Sequence, residues 1–103
     1  MKASDIVWTH GAAADVQSIY ERMELLEEGL GDTFYAEALH VVHLVGRFPQ
    51  MGSTMKHRRI RKVLVFNRHH GLFHVVGDRG VVLHALLDLR QGPELIGRRL
   101  RDL

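Results

Sequence analysis

Apolar positions recur at two different periods along the chain, and the change of period divides it. Residues 5–9 hold Ile6, Val7 and Trp8 in succession, a short β-prone run. Thr9 is suited to cap a helix, because its hydroxyl can accept from the orphan N–H groups of a helix start. From Ala12 onward Val16, Ile19, Tyr20, Met23, Leu26 and Leu30 recur at helical spacing, while Glu21, Glu24, Glu27 and Glu28 fall largely off that stripe. This predicts an amphipathic helix ending near Gly29 or Gly31, where glycine accepts left-handed geometry. Asp32 or Thr33 is expected to cap a second helix, with Phe34, Ala38, Val41, Val42 and Val45 as its buried stripe and Gly46 near its end. So short a connection makes the two an antiparallel hairpin.

Residues 49–54, PQMGST, read as a loop. Beyond them the period drops towards two, and strands are expected over 59–66, 72–76 and 81–89. Turns fall at 67–71 and at Gly77-Asp78-Arg79-Gly80, the clearer hairpin signal. Gly92-Pro93 breaks the third strand. Pro93 suits a first helical turn, leaving room for a short C-terminal helix with Leu95, Ile96 and Leu100 inward. The order β-α-α-β-β-β predicts an α+β fold, a helical hairpin packed on a small antiparallel sheet. At 103 residues it is expected to be one domain, 1–103.

Charge changes this picture more than composition does. An apolar fraction of 46% and a net charge of +2 are ordinary. Residues 1–37, however, carry two cations, Lys2 and Arg22, against eight acids. Residues 38–103 carry twelve Lys and Arg against Asp78, Asp88, Glu94 and Asp102. No acid lies between Glu37 and Asp78. Either the acidic helices neutralise a basic sheet within one fold, or the basic half meets an acidic partner. The absence of cysteine excludes disulfides, thiolate metal sites and a cysteine nucleophile, and fits a reducing cytosol. No apolar run approaches a signal peptide or the roughly 20 residues of a membrane span. The expectation is a soluble, cytoplasmic protein with no membrane contact.

The basic strand does not alternate cleanly. Ile60, Lys62 and Leu64 share one parity, and Arg59, Arg61, Val63 and Val65 the other. Such a strand either reaches beyond its helical cover or carries a bulge near Lys62. Its charge could guard a sheet edge, or dock a partner strand, or both. Eight histidines raise the question of metal. His40 and His43, at i and i+3, share a helix face with Glu37 nearby, but two imidazoles fall short of a zinc site's usual three or four ligands. They read as a solvated face, and His69-His70 as turn chemistry; no metal and no cofactor are expected. Phe66 and Phe73 are the sheet's sparse aromatics, without the glycine patterns of common RNA-binding modules.

Several stretches in order resemble one family. IVWTHGAAADVQSI (6–19) is similar to the VxWTxxAxxDLxxI opening of the RelE/ParE toxin superfamily. FPQMG (48–52) resembles its xxPxxG loop, FHVVGDRGVV (73–82) its YRVxGDRVxV hairpin, and LLDLRQGP (86–93) its VLHxRRDP close. The final LIGRRLRDL resembles the tail of some ParE chains. The chain departs from the pattern where Phe73-His74 replaces a Tyr-Arg pair, Asp88 replaces a histidine and Gln91 an arginine; Arg90 and Pro93 persist.

The resemblance implies the toxin of a type II toxin–antitoxin module, a ParE-like (plasmid stabilization) protein. It implies a cognate antitoxin that wraps the toxin, and contact with operon DNA only through that antitoxin. Its implied target is DNA gyrase. The expected target-binding residues are Arg58, Arg59, Arg61, Lys62, Arg68, Arg90, Arg98, Arg99 and Arg101. The antitoxin groove is expected at Val16, Tyr20, Met23, Ile60, Lys62 and Leu64. The alternative is a RelE-like nuclease cutting mRNA on the ribosome. It needs a base, an acid and cations on the phosphate. The chain has no tyrosine after Tyr35 and no glutamate between Glu37 and Glu94, which leaves Arg61, His84 and Arg90 as its best set, with His69, His70 and His74 as other proton carriers. A third reading is a degenerate homologue that only binds antitoxin. The balance is towards a protein that acts by binding.

Overall fold

The computed structural model describes residues 4–55 and 59–101. The elements are β1 (Ile6–Trp8), α1 (His10–Leu26), α2 (Leu30–Arg47), β2 (Ser53–Thr54), β3 (Ile60–Val65), β4 (His70–Gly77), β5 (Gly80–Asp88) and α3 (Pro93–Arg101). The α+β class and the helical hairpin are as the periodicities predict. Among the described residues the sheet has five strands in the order β1-β5-β4-β3-β2 and is mixed, because β1 runs parallel to β5 while every other pair is antiparallel.

Thr9 caps α1 as expected: its Oγ1 accepts from the Ala12 N–H at 3.1 Å. The second helix begins three or four residues earlier than a cap at Asp32 or Thr33 would place it. Gly29 is its N-cap, at φ 88°, a left-handed conformation that glycine adopts without a Cβ penalty. The cap comes from the preceding helix. The Glu24 carboxylate accepts from the N–H groups of Gly29 (3.1 Å), Gly31 (2.8 Å) and Asp32 (3.3 Å). One negative side chain thus satisfies three orphan donors at the positive end of α2.

Two apolar clusters lie on opposite faces of the sheet. The larger packs Val16 and Ile19 of α1 and Phe34, Val41 and Val45 of α2 on Val63, Val65, Leu72, Val81, Leu83 and Leu86. The smaller packs Leu100 and Ile96 of α3 on Ile60, Phe73, Ala85 and Leu87. The terminal helix therefore covers the face that the hairpin leaves bare.

This explains the irregular parity of β3. Its pairing with β4 is continuous from Ile60↔Val75 to Val65↔His70, so no bulge sits at Lys62. Arg61 shares the hairpin-side parity of Val63 and Val65 but lies where the helices have ended. There its Nη1 donates to the carbonyls of Gln50 (2.7 Å) and Gly52 (3.3 Å). The register shift of the sheet lies in β4–β5 instead. Phe73 faces Ala85 and His74 faces Leu83, which leaves His84 as the extra residue. At the far end of β5, Gly80 lets β1 come close: a Cβ there would collide with the Asp5 carbonyl, which accepts from the Val81 N–H.

Candidate functional site

The predicted basic residues do not form one patch. Arg58 lies outside the described residues. Arg59 is exposed at the entry to β3, and Arg68 is exposed in the turn at its other end. Six strand residues, about 20 Å, separate the two ends. Arg61 pins the 50–52 loop through its two carbonyl contacts. Arg90 clamps Asp88 through Nε (2.9 Å) and Nη2 (2.8 Å). Arg99 holds Asp15 with two bonds of 2.8 Å. Arg61, Arg90 and Arg99 therefore have positioning work within the fold. Arg98 and Arg101 line a groove of about 550 Å³ with Met55 and Ile60, between α3 and the start of β3. Among the described residues, this is where the tail cations and the basic strand come nearest to a common surface.

The predicted antitoxin residues divide between the two faces. Val16 is buried in the hairpin-side core and Met23 packs at its margin. Tyr20 is half-buried; its hydroxyl donates to Asp32 Oδ1 at 3.0 Å and its ring stands edge-on to Tyr35. That hydrogen bond, with the charge of Asp32, holds the Tyr20 phenol above its usual range. Ile60 is buried in the smaller core under α3, and Lys62 lines a cleft with Phe73 and Leu100 on that face. Leu64, of the same parity, is exposed. A segment touching both sets would have to pass around an edge of the sheet.

The nuclease trio does not converge. Arg61 lies opposite His74 on β4, and His74 lies opposite Leu83 on β5. His84 follows in the irregularity, and Arg90 lies in the turn beyond Asp88, which is itself about 13 Å further along the strand. His84 is half-buried, and burial lowers its pKa.

Two other histidines are interior groups. His74 is fully buried, and its Nε2 donates to the Pro49 carbonyl at 3.0 Å. Burial pushes its pKa down against that bond, and nearby Arg61 adds to the fall. Its Nδ1 has no hydrogen-bond partner among the described residues. His70 packs against the rings of Phe34 and Phe66, which also meet each other edge-on, and its Nδ1 is likewise buried without a partner among the described residues. Burial lowers its pKa, Asp88 opposes this, and Arg90, Arg22 and His69 reinforce it. Among the described residues no three metal-ligating side chains converge, and His40 and His43 are exposed.

One constellation goes unnoticed in the sequence. His70, Asp88, Arg90 and Arg22 meet in a cleft of about 330 Å³ beside the end of α1. Strand pairing sets His70 opposite Asp88, and the Asp88–Arg90 bond closes the group. Arg90 holds the Asp88 carboxyl well below the usual carboxylate range. The Asp-x-Arg spacing of 88 and 90 is the readable signal; Arg22, from the acidic half, gives none.

No family model and no curated protein matches the sequence. Among solved structures, a chain of the chromosomal ParDE TA system from P. aeruginosa superposes with a TM-score of 0.76 at 14% identity. The match covers 85% of this chain and 98% of that one. The chain has a ParE-like fold.

Proposed function

We propose that this chain is the toxin of a type II toxin–antitoxin module, one toxin domain over 1–103, acting in the cytoplasm. The observation that carries this is the fold shared over 85% of the chain with a member of a ParDE TA system. No helix among the described residues is long and apolar enough to cross a membrane. The proposed target is DNA gyrase, bound by a surface of cations. Arg98, Arg101 and Arg59, which make no ion pair among the described residues, are its best-placed members. A cognate antitoxin is the proposed neutralising partner and the sole link to operon DNA. Dispersal of Arg61, His84 and Arg90 gives the ribosome-dependent nuclease less support than the binding mechanism.

The test is gyrase supercoiling with the purified chain, beside its expression in growing cells. Inhibited supercoiling with filamentation and DNA-damage signalling is the expected result. Arrest with cut mRNA and uninhibited gyrase would replace the target. A folded chain that causes no arrest would leave only antitoxin binding.

A further inference from the structure

The sheet has an open stretch of edge. β1 pairs with β5 only at Val81–Leu83, and beyond that β5 has no strand neighbour on that side among the described residues. The Leu86 N–H there is taken by Asp15 Oδ2 at 3.0 Å. By the alternation of an antiparallel strand, Asp88 also turns its backbone groups outward, away from β4. The Leu86 carbonyl and the Asp88 N–H are therefore left without a strand partner.

Two clefts meet on this edge. One, of about 500 Å³, runs between α1 and α3 over Leu86–Asp88; the other is the His70 cleft, of about 330 Å³. They share Arg22 and Asp88. Both acids in the pair of clefts are already matched, Asp15 by Arg99 and Asp88 by Arg90. Arg22 and Arg98 make no ion pair among the described residues, so the groove has surplus positive charge. Its outer rim is apolar: Leu25 and Leu26 at the end of α1 are 87% and 76% exposed.

We propose that this groove binds an extended segment of a partner protein that carries carboxylate and apolar side chains next to one another. Its backbone meets the Leu86 carbonyl and the Asp88 N–H. A carboxylate sits at Arg22, and an apolar neighbour covers Leu25 and Leu26. A phosphate backbone would satisfy the arginine but would leave the leucines wet, so the rim favours a peptide. An antitoxin is the natural source of such a segment, and to that extent the inference rests on the proposed function. The groove's chemistry does not.

The probe is a capped peptide of alternating leucine and glutamate, with binding read by NMR through the Leu25 and Leu26 methyls and the His70 ring. The control replaces glutamate by glutamine. Saturable shifts with the acidic peptide alone are expected, weakened at least about tenfold by Arg22→Gln and by Leu25→Ala. Both positions are exposed, and an unchanged His74 ring signal reports that the fold is kept. Equal binding of the neutral peptide, or full affinity in both variants, would overturn the proposal. So would a short oligothymidylate that shifts the same signals more tightly than the peptide. Peptide binding by a chain that arrests no growth would keep the groove and lose the toxin. Growth arrest without peptide binding would do the reverse.

Discussion

Replacing Glu24 by alanine should cost far more than is usual for one partly exposed side chain. The carboxylate accepts three N–H groups at the start of α2, at 2.8, 3.1 and 3.3 Å. Of the three donors, Asp32 is exposed and Gly29 half-buried, so water can replace the acceptor there at small cost. Gly31 is buried, and its N–H, which makes the shortest bond, would be stranded. A stranded buried donor costs about 1–3 kcal/mol, and losing a negative charge at a helix N-terminus costs about 0.3–1 kcal/mol. The expected loss is about 2–3 kcal/mol, which for a domain of this size lowers Tm by roughly 10–15 °C. Glu24→Gln keeps one acceptor oxygen and should lose about 1 kcal/mol. Thermal and urea unfolding followed by circular dichroism measure both. A loss below about 0.5 kcal/mol in the alanine variant would mean that α2 is capped in some other way.

Four further outcomes are expected. Folded-state pKa values of His70 and His74 lie below the ordinary 6.5, so the unfolded chain takes up protons first. Stability should then fall as pH drops below about 6.5, with a slope approaching 1.4 kcal/mol per pH unit for each imidazole. Urea midpoints that are flat from pH 7 to 5 would rule this out. Asp88 acts in a lower window, where acid below its unfolded value of about 3.9 removes the stability of its bond to Arg90. Phe66, Asn67 and Arg68 all have positive φ, at 49°, 57° and 66°. Arg68→Gly should therefore raise stability by about 0.5–1 kcal/mol, and a loss instead would show that the arginine side chain holds the turn. Asp15→Ala removes the acceptor of the Leu86 N–H and the partner of Arg99, at a cost of about 2 kcal/mol. It should also speed hydrogen exchange in α3; unchanged exchange there would show that Ile96 and Leu100 suffice to hold the helix.

The elements are legible where one local rule decides them. Thr9 sits before an apolar stripe of period 3.6, and a side-chain cap is what that pattern demands. The Gly77–Gly80 turn is equally local. The start of α2 is not legible, because its cap comes from Glu24, a residue of the previous helix, and Asp32 and Thr33 offer closer candidates. The direction of β1 is hidden for a similar reason. Three residues carry no mark of being parallel to a strand far along the chain. Charge counting finds the basic half but misses what its members do. Arg61, Arg90 and Arg99 each take a partner within the fold, which only tertiary contacts reveal. Arg22 is masked by the acids around it in sequence, yet in space it stands near a buried imidazole and an open strand edge.

The pairing of Ile6 with Val81 also bears on the order in which the molecule can be made. Translation proceeds at about 5–20 residues per second, so the partner of β1 arrives roughly 4–15 s after it. The two helices between them are finished early, and their turn and cap need nothing downstream. Their apolar stripe, with Phe34 and Val45 at its centre, has no sheet to rest on until the last third of the chain has been added. Whatever the completed protein binds, every copy passes first through a stage in which it is an amphipathic hairpin without a floor.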